Sequence, residues 1–406
     1  MNPNDNQESL QHIDKVEEFL STHYDFRYNT VLGRVEFRLK GGTSYQLMVD
    51  YDENSICRRL ERNRLKINPT TLKGKLLSDF TTTFDPFIEY FNSLSTWDGS
   101  TDYIQQLATT VKTTNESLWN KFFKKWIVAM VTSLMVPDKV NHTVLVFYGA
   151  QGKGKTTWIE KLVPKELKSY LYTGTINPND KDAMIHLAER MLINLDELEN
   201  LNRSEIGSLK SLITQSNINI RRPYGRNSEN LTRRASFAGS INNNQFLNDS
   251  TGSRRFLVAE VSYIDYQHEV NINMVLSQAL TLFKEGFQYW FDEAEQEQIN
   301  DNNSQYQRTS LEEESLLDKF MPAEENDQEA VYLTTTDIAN ELKDSYGVRT
   351  DASAVNLLGR ALAKNGFKRL KKGSNYKYCI KNKRQENVIR HPNSSLQSEF
   401  TQMSVA

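Results

Sequence analysis

The sequence predicts an α/β fold: a central sheet carrying a phosphate-binding loop, a small α+β region before it and a winged-helix unit after it. Three observations predict this. Residues 149–156, Gly-Ala-Gln-Gly-Lys-Gly-Lys-Thr, follow the apolar run Val144–Tyr148 and precede an amphipathic stretch ending at Pro164, the strand, G-x-x-x-x-G-K-[ST], helix order of a phosphate loop. Strand-like runs recur near 190–195, 217–222, 232–239 and 255–261 with helical patterns between them, the alternation of an α/β sheet. Beyond residue 331 the order becomes helix, helix, hairpin, which is winged-helix order.

In chain order, residues 1–99 read as an N-terminal α+β accessory region. Its first nine residues have the composition of disorder; Ile13, Val16, Phe19 and Leu20 then mark a short amphipathic helix. Val31–Phe37 and Tyr45–Val49 read as strands around Gly41-Gly42, followed by a basic helix over 57–66. The core spans 100–291. It opens with Trp119, Phe122, Phe123, Trp126, Ile127, Met130, Val131 and Leu134 at helical spacing, a face expected to pack against the sheet. Residues 292–330 hold 13 acidic side chains against Arg308 and Lys319, and read as a solvated linker, helical in part near Leu311–Phe320. The winged-helix-like unit covers 331–384, with helices over Thr334–Tyr346 and Ser353–Asn365 and a hairpin turning at Lys371–Ser374; 385–406 read as a disordered tail.

Composition narrows the class. The 406 residues are 38 % hydrophobic and 25 % charged, ordinary for a globular protein. No apolar run approaches the roughly 18 residues of a membrane span, and MNPNDNQESL lacks a signal-peptide pattern, so a cytoplasmic setting without a membrane partner is expected. Cys57 and Cys379 alone suggest neither a disulfide framework nor a zinc site. With a formal charge of −3, any nucleic-acid surface must be a local patch.

The chemistry begins at the loop. Glycines 149, 152 and 154 let backbone N–H groups close around phosphate oxygens, and the next helix presents its positive end. The expected nucleotide-binding run is Gly149, Ala150, Gln151, Gly152, Lys153, Gly154, Lys155, Thr156 and Thr157. Lys155 is expected to reach the β- and γ-phosphates of ATP and Thr156 to hold Mg²⁺. Downstream, Met191–Leu195 ends in Asp196-Glu197: Asp196 steadies the metal and Glu197 polarises the attacking water, two tasks that need two carboxylates. In Ser236–Asn244, SFAGSINNN, an apolar and small-residue strand ends in polar amides, and Asn242 is the candidate amide that orients the water. Arg254 and Arg255 have the planar, permanently charged fork suited to a neighbouring subunit's phosphates.

Two segments point to nucleic acid. Residues 221–234 hold five arginines and one glutamate around a Tyr-Gly-Arg-Asn turn. Such a hairpin can enter a ring pore, with Arg221, Arg222 and Arg226 following a phosphate backbone and Tyr224 stacking on a base. Near-absence of local acids favours this over a solvated loop. Residues 364–384 hold nine Lys or Arg and no acid, with Tyr376 and Tyr378 interleaved. Lys371 and Lys372 at the turn are the expected phosphate contacts of a wing.

The motifs GAQGKGKTT, NLDELE, LKSLIT, RRPYGR and TGSRRF together resemble the virulence-associated protein E family, relatives of superfamily 3 helicases of phages, plasmids and integrated mobile elements; the resemblance covers roughly Tyr28–Val261. It implies an AAA+-like ATPase core, a homo-oligomeric ring (a hexamer by likeness), Mg²⁺-ATP, and 3′-to-5′ translocation on single-stranded or forked DNA. It gives Gly149, Lys155 and Thr156 the Walker A role, Asp196 and Glu197 Walker B, Asn242 motif C, and Arg254 and Arg255 the trans-acting arginines. Relatives often carry a primase-polymerase part upstream. About 100 residues precede the core here, too few for one, so priming is expected to come from a separate primase or not to be needed. The reading is a replicative helicase of a mobile element. Its rivals are a DNA-dependent ATPase that remodels or senses nucleic acid without processive unwinding, as in defence, and a small-molecule kinase on the same loop.

Overall fold

A computed structural model describes residues 3–383 except 224, 226, 244, 245, 248–252, 307–309 and 374. The chain divides into two compact units, 1–308 and 309–406. The first opens with α1 (Pro3–His23), β1 (Tyr24–Asn29), β2 (Arg34–Leu39), β3 (Gln46–Leu47), α2 (Asp50–Arg62), α3 (Pro69–Leu76) and β4 (Thr82–Phe84). Helix α1 thus begins at Pro3, where composition predicts disorder. The strands form a sheet in the order β3-β2-β1-β4, with Val16, Leu20, Phe37, Ile56 and Leu60 in its own small core.

The larger part follows: α4 (Pro86–Ser93), α5 (Tyr103–Thr109), β5 (Val111–Thr113), α6 (Glu116–Met135), β6 (Val144–Tyr148), α7 (Lys155–Lys161), β7 (Leu171–Gly174), α8 (Lys181–Glu189), β8 (Leu192–Leu195), α9 (Arg203–Thr214), β9 (Asn217–Ile220), β10 (Glu229–Thr232), β11 (Ser236–Ile241), β12 (Phe256–Ile264), α10 (Ile272–Lys284) and α11 (Glu293–Asn303). Six strands make one sheet, ordered β5-β12-β6-β11-β8-β7. All neighbours are parallel except β5, which runs antiparallel to β12. Strand β6 is apolar throughout because both faces are covered: Leu145 and Phe147 pack in one core, Val144 and Val146 in the other. The aromatic positions of α6 are buried in the first core; this is core packing, and deleting one such ring costs about 3–5 kcal/mol.

Two further expectations change, and two strands are new. The run near 217–222 is outside the main sheet: among the described residues β9 pairs only with β10, as a separate two-stranded hairpin. Strands β5 and β7, both short, carry no period long enough to read. The expected linker 292–330 is ordered structure on both sides of the unit boundary. Its first half, α11, belongs to the first unit, where Glu295 is buried against Lys125 (2.7 Å) and Lys121 (3.0 Å).

The second unit therefore starts before residue 331. It contains α12 (Leu311–Lys319), β13 (Phe320–Pro322), β14 (Val331–Leu333), α13 (Thr335–Tyr346), α14 (Ala352–Lys364), β15 (Arg369–Lys372) and β16 (Asn375–Asn382). β16 pairs antiparallel with β13, β14 and β15. Ile338, Leu342, Leu358, Leu362, Phe367 and Ile380 form its core together with Leu316 and Phe320. Thr334 starts α13 with a capping box to Asp337, and Gly347, at φ 70°, ends it. The expected tail, 385–406, lies outside the described residues. Among those residues no helix is long and apolar enough to cross a membrane.

Candidate functional site

Parallel strands β6, β11 and β8 are neighbours in that order, so their carboxyl ends form one edge, the place where open α/β sheets bind ligands. The loop 149–154 leaves β6 there. Its glycines 149, 152 and 154 have φ of 156°, 79° and 79°, a region that L side chains rarely enter. At two of them space is also closed: a Cβ on Gly149 would lie 2.9 Å from the Val261 carbonyl oxygen, and one on Gly154 would lie 2.6 Å from Cγ of Tyr266. Ala150, Gln151 and Lys153 are exposed along the loop, and Thr157 is exposed on the first turn of α7.

Lys155 and Thr156 turn inward. Lys155 is 6 % exposed, and its ammonium donates to the carbonyls of Gly149 (2.5 Å) and Ala150 (3.0 Å) and to Oδ1 of Asn242 (2.9 Å). Burial lowers its pKa, opposed by the charge of Glu199. Thr156 Oγ1 donates to Asp196 Oδ1 at 3.2 Å. Two consecutive residues thus meet the ends of β11 and β8, 87 and 40 positions downstream.

Glu197 is exposed with φ 54°, a left-handed conformation that costs of order 1–3 kcal/mol for a side chain of this kind. Asn200 holds it there: its amide N–H donates to the Glu197 carbonyl (2.9 Å) and its Nδ2 to Glu197 Oε2 (2.8 Å). The residue that sequence reasoning missed is Glu199. Its Oε1 accepts from the Asn242 backbone N–H (2.9 Å) and from Asn242 Nδ2 (3.2 Å), which turns Oδ1 of Asn242 towards Lys155. The signal was present as the third acid of Asp196-Glu197-Leu198-Glu199.

Arg254 and Arg255 are not brought to this edge. They form a 3-10 turn at the start of β12, and Phe256 pairs with Val144, the first residue of β6. Five strand residues separate that level from the loop, about 16 Å at the usual rise. Helix α11 fixes the turn: Asn303 Nδ2 donates to the carbonyls of Ser253 and Phe256 (both 2.8 Å), and Ser253 Oγ donates to Asn300 (2.6 Å). The acidic stretch expected as linker is thus what positions the arginine pair. Arg254 is exposed; Arg255 is half-buried, its pKa lowered by burial and by Arg254. Both line a cavity of about 590 Å³ with His142, Tyr289 and Trp290.

The arginine-rich hairpin requires a correction. Ile220 pairs with Glu229, so 221–228 form the tip. Tyr224 and Arg226 lie outside the described residues, and Arg221 is exposed. Arg222 is not a free phosphate contact. Its guanidinium donates to Glu189 Oε1 (2.5 Å) and to the carbonyls of Leu32 and Val31 (both 3.0 Å). Arg233 is fully buried and donates to carbonyls at the end of α9, including Leu212, Ile213 and Gln215. Arg234 pairs with Asp85 (2.6 Å). Acids scarce in the local sequence arrive from distant segments.

The second unit repeats the lesson more mildly. Lys371 is exposed. Lys372 lies 3.6 Å from Glu325 and 4.5 Å over the Tyr332 ring, Lys368 pairs with Glu324 (2.5 Å) and Lys381 with Asp327 (2.6 Å). The basic run without acids in sequence has an acidic neighbour, 324–327, in space.

Fold and site together define a mixed α/β protein whose glycine-rich loop, acidic strand end and asparagine meet at one edge of a parallel sheet. Residues 91–308 match the Virulence-associated protein E-like domain, more than half of the chain, and the protein belongs to that family. Two solved structures are similar over 91 % of this chain and 98 % of theirs: the apo structure of the NrS-1 C terminal region, at 12 % identity and a TM-score of 0.46, and an A form of the same region, at 11 % and 0.45. No match is found among curated proteins.

Proposed function

We propose that the chain is a Mg²⁺-ATP-driven DNA helicase that acts in replication of a phage, plasmid or integrated mobile element. The observation that carries this is the meeting of Lys155 with Asn242 and of Thr156 with Asp196 at one sheet edge. The sheet order, with β11 between β6 and β8, supports an AAA+-like reading of the core. The positive-φ glycines and the inward ammonium fit a phosphate chain. Thr156 and Asp196 offer the hydroxyl and carboxylate oxygens that Mg²⁺ prefers. Bound Mg²⁺-ATP would supply the phosphoanhydride and the cation that screens its charge. Lys155 then neutralises phosphate oxygens, Glu197 takes a proton from the attacking water, and Glu199 keeps Asn242 turned towards the reacting end.

The position of Arg254 and Arg255 at the far edge supports a role across a subunit boundary in a homo-oligomeric ring, a hexamer by family likeness. Arg221, with Tyr224 and Arg226, would touch single-stranded DNA. The second unit, with α13, α14 and the β15–β16 hairpin, would be the winged helix and place Lys371 on duplex phosphates; a separate primase and a cytoplasmic setting complete the reading. A second reading, a DNA-stimulated ATPase that remodels or senses DNA without unwinding, is favoured by the inward commitment of Arg222, Arg233 and Arg234.

The test is ATP turnover with and without single-stranded DNA, with strand displacement on a fork and particle images. Stimulated turnover, displacement and rings are expected. A monomer whose turnover no DNA changes would overturn the helicase reading; stimulation without displacement would select the second. Mixing Lys155→Ala chains with chains lacking both arginines, Arg254→Ala and Arg255→Ala, is expected to restore part of the activity, because hybrid interfaces then hold intact parts from each. Mixed rings that stay inactive would return the pair to a structural role.

A further inference from the structure

The segment just beyond β12 crosses the glycine-rich loop, and one aromatic ring there has no role in the chemistry derived above. Tyr266 lies so close to Gly154 that any Cβ at that position would overlap it, yet the residue is 40 % exposed. The ring is therefore pinned by one edge to the loop while much of its surface is open. Its placement is enforced from both sides: Lys153 Nζ donates to the Ser262 carbonyl (3.2 Å), Lys161 Nζ to the His268 carbonyl (3.1 Å), and the Asp265 N–H to the Thr110 carbonyl (2.8 Å).

Direction decides what such a ring can meet. Lys155 faces Asn242 and Thr156 faces Asp196, so the terminal phosphate and its cation lie towards β11 and β8. Strand β12 borders β6 on the opposite side. The nucleoside end of a triphosphate must leave the loop away from β8, towards the end of β12, where Tyr266 stands. An exposed aromatic face fixed beside a phosphate site is suited to a base, since every base presents a π-face.

We propose that Tyr266 is the stacking platform for the nucleobase of the bound nucleoside triphosphate. This rests on the nucleotide reading of the loop. The contact is made by the ring and not the hydroxyl, so it favours a nucleoside triphosphate over a bare polyphosphate and discriminates weakly among bases.

The test is calorimetric titration of the full chain with ATP and with inorganic tripolyphosphate, both with Mg²⁺. The wild type is expected to bind ATP more tightly. Tyr266→Ala is expected to lose about tenfold in ATP affinity, the scale of one base–aromatic stack, with tripolyphosphate unchanged; Tyr266→Phe is expected to keep the ATP affinity. Tyr266→Trp adds an emitter whose fluorescence ATP is expected to quench and tripolyphosphate is not, which decides the matter even where the alanine variant fails to fold. Equal weakening of both ligands in Tyr266→Ala, an unchanged ATP affinity, or an added indole emission in Tyr266→Trp that is blind to ATP would overturn the proposal. Wild-type protein that binds neither ligand would instead remove the nucleotide reading itself.

Discussion

The glycine-rich loop and the arginine-rich hairpin are two segments that the sequence marks by residue type, and they fold to opposite outcomes. In the loop, Lys155 and Thr156 face partners from β11 and β8 that share no local sequence with them. In the hairpin, three of the five arginines of 221–234 turn inward to Glu189, Asp85 and the carbonyls ending α9. A loop motif is a statement about spacing: the glycines, the ammonium and the hydroxyl sit where one ligand geometry needs them. A run of arginines is a statement about composition only. Five donors on a long stem satisfy helix-end carbonyls as readily as phosphates, and which they satisfy is decided in three dimensions.

The contrast breaks at once if the loop proves ornamental. Lys155→Ala is expected to lose ATP binding and turnover together, whereas Glu197→Gln is expected to bind ATP and turn it over at least about 100-fold more slowly, as loss of a general base predicts. Glu199→Gln separates the two carboxylates further: it weakens the hold on Asn242 without removing the base, so its turnover should fall between those of Glu197→Gln and the wild type. Binding and single-turnover rates on the three variants check this. Normal turnover in Glu197→Gln would remove that residue from the mechanism and make Glu199 the base to test.

Much of this was legible beforehand, for identifiable reasons. Strand β6 is apolar at four consecutive positions because both faces are buried, and such runs announce themselves. The helical repeat of Trp119, Phe122, Phe123 and Trp126 states its own burial. Illegible were features set by partners far along the chain. Strands β5 and β7 span three and four residues, too short for a period to register. The acids of α11 looked solvated because their cations, Lys121 and Lys125, lie about 170 positions upstream. Arg222 looked free because Glu189 and the turn at Val31–Leu32 are distant in sequence.

If the inward arginines are structural, removing them should cost stability. Arg233→Ala is expected to destabilise the first unit by about 3 kcal/mol, since it leaves buried carbonyls without donors, and Arg222→Ala by about 2 kcal/mol. Chemical denaturation measures both, and losses within about 0.5 kcal/mol would make them surface residues after all. The Arg222 deficit should also depend on pH. Burial holds the Glu189 carboxyl above its usual range, and Arg222 pulls it back. Without Arg222 the folded carboxyl binds its proton at still higher pH than the unfolded one. The deficit is therefore full above that raised pKa and shrinks as pH falls through it. A deficit that grows on acidification would mean that another group carries the loss.

The smallest expected effect separates two neighbours in one hairpin. Arg221 is exposed at the start of the tip, whereas Arg222 is tied to Glu189 and the N-terminal region. If the tip meets single-stranded DNA through its backbone, Arg221→Ala removes one phosphate contact. Affinity should then fall by a few fold, alike for every sequence, and the slope of log affinity against log salt should flatten by about 0.7, the value for one contact on a single strand. Arg222→Ala, measured at a temperature where the variant stays folded, should leave that slope unchanged, because its guanidinium never reached the phosphates. DNA affinities at four or five salt concentrations for the two variants check this. A slope that changes for Arg222 and not for Arg221 would reverse the assignment. An unchanged slope in both would leave the tip to Tyr224 and Arg226, or withdraw it from DNA altogether.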